Sequence, residues 1–351
     1  MTDPLRRRHF LASSVAAGLG LALPAHAADS WAAQPPAGFR RLSLPGKVVK
    51  VTKGGVMQAG GVYPKAAEAR LMLERAMTEL TATKSLAEAF KTLVHPDDTV
   101  AIKPNGIAGR KSMKMAANVE VVAAVVEGVI AAGVPAEKIT IFEQYRDFLF
   151  ATRCVTDKST LAPAASIPAG VKMAVHLNKD ATMPKIMVGG IPTAYVTPFT
   201  NASVVINVTQ VKDHSICGYT GALKNITHGC NVNPHDFHKH NASPQIAHLY
   251  SQDVVKSRVA LHIADAFQVI YDEGPIDKNP RRRVLHEALF ASTDPVAIDV
   301  MGHKLVEALR AENGLPTLAD AGRPPAYLKV AGQLGLGVFE ERHIDSRSIR
   351  A

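Results

Sequence analysis

Along this chain the spacing of apolar side chains switches between a period of two and a period near three and a half, and the switches predict its elements. Lys47 to Lys53 interleaves valine with polar residues, as a half-buried strand does. Tyr63-Pro64 opens a helical pattern that runs to about Leu80, and a second helix follows near Ser85–Leu93. Asp98 to Lys103 reads as the next strand, broken by Pro104-Asn105-Gly106. Asn118 heads a strongly apolar helix to Ala132, closed by Gly133, and Ile139 to Glu143 forms another strand. From 155 to 200 the chain is rich in Pro and Ala, with short β-like runs at Val171–Leu177, Lys185–Gly189 and Ala194–Thr197. Val204 to Val208 is apolar and β-branched, the mark of a buried strand. It leads to a turn bracketed by Gly218 and Gly221 and a short helical piece. A helix near Pro244–Ser257, a strand Val259–Ala264, a basic turn Arg281-Arg282-Arg283 and a strand Val284–Ala291 follow. Thr293 or Asp294 caps a helix that has Pro295 at its first position and runs to about Asn313. Ala326 to Leu334 is the last helix.

Strands alternating with helices predict an α/β fold, a largely parallel sheet flanked by helices, with the Pro/Ala-rich stretch near 155–200 as a β-like insertion. With 47% hydrophobic residues, residues 47–351 can bury a full core as one domain or two intimate lobes. Such sheets bind ligands beyond the carboxyl ends of their strands. Those ends carry Lys103-Pro104-Asn105, Glu143, Lys212-Asp213-His214, Asp265 and Asp294.

Composition adds an address and a sign. Arg6-Arg7-Arg8-His9-Phe10-Leu11 resembles a twin-arginine export motif; an apolar run to Leu23 and Ala25-His26-Ala27 complete the pattern of a cleaved signal. Residues 1–27 are therefore expected to engage the twin-arginine export machinery and be removed after about Ala27, leaving a flexible leader 28–46 and a periplasmic protein. The apolar run is shorter than the ~20 residues of a membrane span, and no other stretch is long enough, so no transmembrane segment is expected in the mature chain. The formal charge of +9 suits a small anionic ligand; the basic residues are dispersed and not interleaved with aromatics, so nucleic acid is not expected as a partner. Three cysteines, Cys154, Cys217 and Cys230, cannot supply four thiolates, which excludes a four-cysteine iron–sulfur cluster from this chain alone. Cys217 reads either as half of a disulfide with Cys230 or as a reactive thiol.

Candidate chemistry concentrates between Asn201 and His248, which holds six of the fourteen histidines. Lys103, Lys212 and Lys224 all lie at strand or turn ends. Three converging ammonium groups would hold a carboxylate or phosphate, and in a dry pocket one of them would act as a base. Asn105, Thr220, Gly221 and Asn225 are expected to line the ligand, with Gly218 and Gly221 opening backbone N–H groups to an anion. The alternative is three solvated lysines beside ordinary turns. His228, Cys230, His235, His238 and His240 offer imidazole and thiolate donors to a transition metal (zinc, iron, nickel or copper); the alternative is a polar surface loop. His214 and Asp265 complete the candidate catalytic set with the lysines. Asp299 sits within an apolar helical face and needs a cation, Lys224 or Lys103, or N–H partners. Neither a Gly-x-Ser-x-Gly elbow nor a Gly-x-Gly-x-x-Gly loop is present, so serine hydrolysis and dinucleotide binding find no support.

The blocks Lys103-Pro104-Asn105, Lys212-Asp213-His214, Thr220-Gly221-Ala222-Leu223-Lys224-Asn225 and Asp294-Pro295-Val296-Ala297-Ile298-Asp299 together resemble the bacterial and archaeal family called domain of unknown function 362, over roughly residues 95–310. The resemblance implies an α/β fold. Many relatives carry ferredoxin-like cysteine motifs, which this chain lacks. The expectation is an enzyme acting on a small anionic substrate with a metal or redox cofactor. The alternatives are a non-catalytic metal carrier or an accessory factor for another exported enzyme.

Overall fold

The computed structural model describes residues 31–112 and 114–351. The export motif, its cleavage point and residues 28–30 lie outside the described residues. Eleven strands are described: β1 (Lys47–Thr52), β2 (Val100–Pro104), β3 (Ile139–Glu143), β4 (Lys172–Val175), β5 (Ile186–Val188), β6 (Ile191–Thr193), β7 (Val204–His214), β8 (Gly218–Thr220), β9 (Val259–Ile270), β10 (Arg283–Ser292) and β11 (Asp345–Arg350). Nine of them form one sheet in the order β11-β1-β10-β9-β7-β2-β3-β4, with β8 folded back on β7. The central run β9-β7-β2-β3-β4 is parallel; β10 and β8 are antiparallel to their neighbours. This is the α/β arrangement with a largely parallel sheet that the alternation of elements predicts.

Helices cover both faces. α1 (Ala66–Thr81), α2 (Leu86–Lys91) and α3 (Val119–Ala131) pack on one side, where Val100, Ile102, Val204, Ile206 and Ile263 meet Met72, Leu73, Phe90 and Val122. After the short α4 (Arg146–Ala151) and α5 (Thr197–Thr200), the helices α6 (Ala222–Thr227), α7 (Gln245–Tyr250), α8 (Asp253–Lys256), α9 (Pro295–Glu312) and α10 (Tyr327–Gln333) follow. Of these, α6, α7, α9 and α10 supply apolar residues to the opposite face, against Ala101, Val205, Ala264 and Phe290. Burial on both faces explains why β2 and β7 open on unbroken apolar runs, Val100–Ile102 and Val204–Ile206, rather than alternating ones.

Several expectations change. The stretch 155–200 is not wholly an excursion, because β4 adds an edge strand to the main sheet; β5 and β6 form a separate hairpin. Gly218-Tyr219-Thr220 is strand β8, paired with His214, Asp213 and Lys212, rather than a turn. The helix expected over 244–257 is interrupted between Tyr250 and Asp253. The final strand β11 carries no apolar signature, since it lies at the sheet edge with mostly exposed side chains. Residues 31–46 have no regular secondary structure beyond two turns but are fastened to the body: the Arg41 guanidinium grips buried Asp98 at 2.6 and 2.7 Å.

Candidate functional site

At the carboxyl edge of β2, β3 and β7 the chain encloses a cleft of about 130 Å³, lined by Lys103, Asn105, Glu143, Thr220, Lys224 and Asn225, with His214, His228 and His238 opposite and Phe148 and Pro275 on the rim. Parallel strands bring Lys103 and Glu143 together. Lys103 Nζ lies 3.0 Å from Glu143 Oε1, a buried ion pair, and donates to Pro104 O at 2.8 Å. The loop after β2 is stitched to the same acid, since Gly106 N donates to Glu143 Oε1 and Gln144 N to Oε2.

Lys212 arrives from the other side. On β7 the even positions 204, 206 and 208 face α3, and Gln210, two residues before Lys212, reaches Ala116 O at 3.4 Å. Lys212 itself is fully buried just behind the cleft and donates to Asn105 Oδ1 at 2.5 Å and Gln210 Oε1 at 3.3 Å. Burial, with Lys224 and Lys103 nearby, lowers its pKa to about 7 despite the pull of Glu143. That proton fixes a chain of amides. Asn105 Nδ2 donates to Asn225 Oδ1 at 2.9 Å, Asn225 Nδ2 to Asn207 Oδ1 at 2.7 Å, and Asn207 Nδ2 lies 3.0 Å from His262 Nδ1. With every amide oxygen occupied, none of these side chains can turn over without breaking a buried bond.

Lys224 differs from the other two. Its ammonium lies 3.1 Å from His238 Nε2, and among the described residues no carboxylate pairs with it. His238 Nδ1 faces Pro234 O at 2.9 Å, so Nδ1 carries the ring proton and Nε2 offers its lone pair to Lys224. Burial brings the His238 pKa down to about 4 and lowers that of Lys224. His214 Nδ1 accepts from Ile216 N at 3.1 Å, which leaves the N–H on Nε2; burial holds this ring neutral as well. His228 packs edge-on to His238 with centroids 4.6 Å apart, and its pKa too is driven well down by burial. Thr220 Oγ1, in the cleft wall, is buried without a hydrogen-bond partner.

The expected residues divide as follows. Lys103, Asn105, His214, Thr220, Lys224 and Asn225 share the cleft, and Lys212 backs it. Gly221 serves a different purpose from the one expected. A Cβ there would overlap the Asp299 carboxylate and the Tyr219 ring, and Asp299 accepts from Ala222 N at 2.5 Å and Leu223 N at 3.0 Å. These N–H groups are consumed by a buried acid, whose own pKa burial raises to about 7, so they are not offered to a ligand. Asp299 therefore takes backbone partners and no lysine. Asp265 also lies away from the cleft wall: β9 continues past it to Ile270, and it accepts from Asn118 N and Asn118 Nδ2, both at 2.8 Å, and from Phe267 N. Asp294 ends β10, which runs antiparallel and so finishes at the opposite edge; there it caps α9 through Val296 N and Ala297 N.

The expected metal donors come together only in part. His228 and His238 meet, and His235 lies 6.4 Å from His238 between ring centroids. His240 is exposed. Cys230 is buried and free, with burial pushing its thiol up to about 12. Among the described residues no three His, Cys, Asp or Glu side chains are placed to hold a metal ion. Cys217 is free too, its thiol donating to Tyr219 O, so the Cys217–Cys230 bridge does not form. Sequence reasoning placed Glu143 at a strand end without a role; its pairing with Lys103 needs the β2–β3 neighbourhood, which no local motif signals.

The model of the family described as a domain of unknown function (DUF362) matches residues 100–304, more than half of the chain and all of the cleft's strands from β2 to β9. No curated protein matches the chain.

Proposed function

The chain belongs to the DUF362 family, whose description names no reaction, and from the cleft we propose an enzyme that binds a small acid and moves a proton on it. One observation carries this reading: three lysines stand in or directly behind the cleft wall against a single carboxylate, Glu143, which is already paired with Lys103. A buried ammonium without a counter-ion is unfavourable. An anionic substrate supplies the missing charge, so the site is complete only when occupied.

His214 Nε2–H and the unpartnered Thr220 hydroxyl are donors for the acid's oxygens, and the cleft of about 130 Å³ suits a small molecule. The neutral His238, its tautomer set by Pro234 O, takes and returns the proton. Because α6 is a short helix whose first two N–H groups are held by Asp299, charge from side chains rather than a backbone cradle recognises the ligand, which favours a carboxylate over a phosphate. We also propose, from Arg6-Arg7-Arg8-His9-Phe10-Leu11 and Ala25-His26-Ala27, that the protein works in the periplasm after twin-arginine export. Calorimetric titration with short carboxylates and with inorganic phosphate tests the reading. Carboxylates should bind and lose affinity in Lys224→Met; failure of every small anion to bind removes it.

A further inference from the structure

Lys224 is the one lysine of the three whose nitrogen has no oxygen acceptor; it lines the cleft with an imidazole nitrogen of the same lining 3.1 Å away. Lys103 uses Pro104 O, Glu143 and Asn225; Lys212 uses Asn105 and Gln210. A primary amine in a dry pocket, beside other cations and beside a base of fixed tautomer, has the surroundings of a nucleophile rather than of a salt-bridge partner. The His238 Nε2 lone pair takes one N–H of Lys224 within the cleft lining, and the remaining N–H groups have no acceptor among the described residues.

Building on the small-acid reading above, we infer that Lys224 forms an imine with the carbonyl carbon of a short 2-oxo acid. The step balances without an oxidant or metal. The ammonium lends one proton to His238 Nε2; the freed nitrogen pair attacks the carbonyl carbon, and the C=O π bond becomes a C–O single bond. Two of the three ammonium hydrogens then leave with that oxygen as water, one of them by way of His238. The nitrogen keeps the third and is left as a protonated imine. Positive charge is conserved on Lys224, and the carboxylate of the same substrate neutralises it, so one molecule satisfies both the charge and the bonding left open in the cleft. Thr220 Oγ1, buried without a partner, is the donor for the carbonyl or carboxylate oxygen. Protonated imines withdraw electrons from the adjacent carbon, which suits proton removal or C–C cleavage at that position.

The test is reductive trapping of the whole protein with pyruvate and borohydride, read by intact mass and peptide mapping. The Lys224 peptide should gain the mass of pyruvic acid less one oxygen, ahead of exposed lysines such as Lys185 and Lys304, and Lys224→Arg should lose that label. His238→Gln should slow trapping several-fold, and lactate, which has no keto group, should bind the unaltered protein without being trapped. Labelling spread over exposed lysines with Lys224 unmodified overturns the imine. If lactate still binds in that case, the acid-binding reading stands alone; if neither acid binds, both fall. Circular dichroism on each variant separates loss of fold from loss of the nucleophile.

Discussion

Two neighbouring residues on β7, Lys212 and Asp213, point to opposite faces and enter charge clusters of opposite design. Asp213 joins Arg323 and Arg310, which also hold Asp272 at 3.1 and 2.7 Å; Arg282 adds contacts to Asp272 and Glu273. Gly274 N donates to the second Asp213 oxygen. Three acids thus meet three arginines, each cation has a carboxylate, and the network ties β7 to the loop after β9, α9 and the segment before α10. Lys212, by contrast, backs the cleft at the sheet's edge, where three lysines meet Glu143 alone. Compensated buried charge fastens elements together, whereas uncompensated charge in an open cleft fastens nothing and leaves room for an anion.

The largest effect that would break this contrast is in stability. Arg310→Met takes the nearest cation from Asp272 and the second one from Asp213, leaving Arg323 to hold both acids, and should cost about 3 kcal/mol in urea unfolding. Lys224→Met, the same kind of change on the other side, should leave stability equal or higher, because it removes a charge lacking an acid. Equal losses from both would erase the distinction. In binding the order reverses. Lys224→Met should weaken a short carboxylate by about 10- to 100-fold, the worth of roughly 1.5–3 kcal/mol in charge-assisted hydrogen bonds, while Arg310→Met in its folded population should not. Glu143→Gln sharpens the comparison further. Removing the cleft's single acid should tighten carboxylate binding, by about tenfold if roughly 1.4 kcal/mol of repulsion is lifted, and a weaker complex would place Glu143 among the ligand's own supports.

The smallest net effect is on the pH dependence of stability, where two sets of groups oppose. Burial holds His176 and His238 near 4 and His262 near 3, against 6.5 in the unfolded chain, and lowers His214, His228, His286 and His303 as well. Between about pH 4 and 6.5 the unfolded chain binds more protons at these seven sites, so they make stability rise with pH. Burial raises Asp265 to about 6 and Asp299 to about 7, and also raises Asp213 and Asp277, so these four make stability fall over much of the same range. The imidazoles are more numerous. The thermal midpoint should therefore climb by about 2 °C or more from pH 4.5 to 6.5, and His262→Gln should flatten the climb. A midpoint that falls across this window would mean that the buried carboxylates dominate.

What the sequence determined by itself was whatever local pattern can encode. The strand expected over Asp98–Lys103 and the β-branched run Val204–Val208 became central strands buried on both faces. Asp294 before Pro295 became a helix cap because the carboxylate reaches the next two N–H groups from that position alone. The gathering of Lys103, Lys212 and Lys224 was also legible, since parallel strands deliver their carboxyl ends to one edge. Only the tertiary structure decided partners. Whether Asp265 meets a lysine or Asn118, whether Asp299 faces a ligand or the start of α6, and whether Glu143 belongs to the cleft depend on residues dozens to well over a hundred positions apart. Periodicity gives the face a side chain occupies, but a hydrogen bond or an ion pair is decided by what the fold brings to that face, and the same carboxylate reads identically in sequence whether it ends as an anchor or as part of a site.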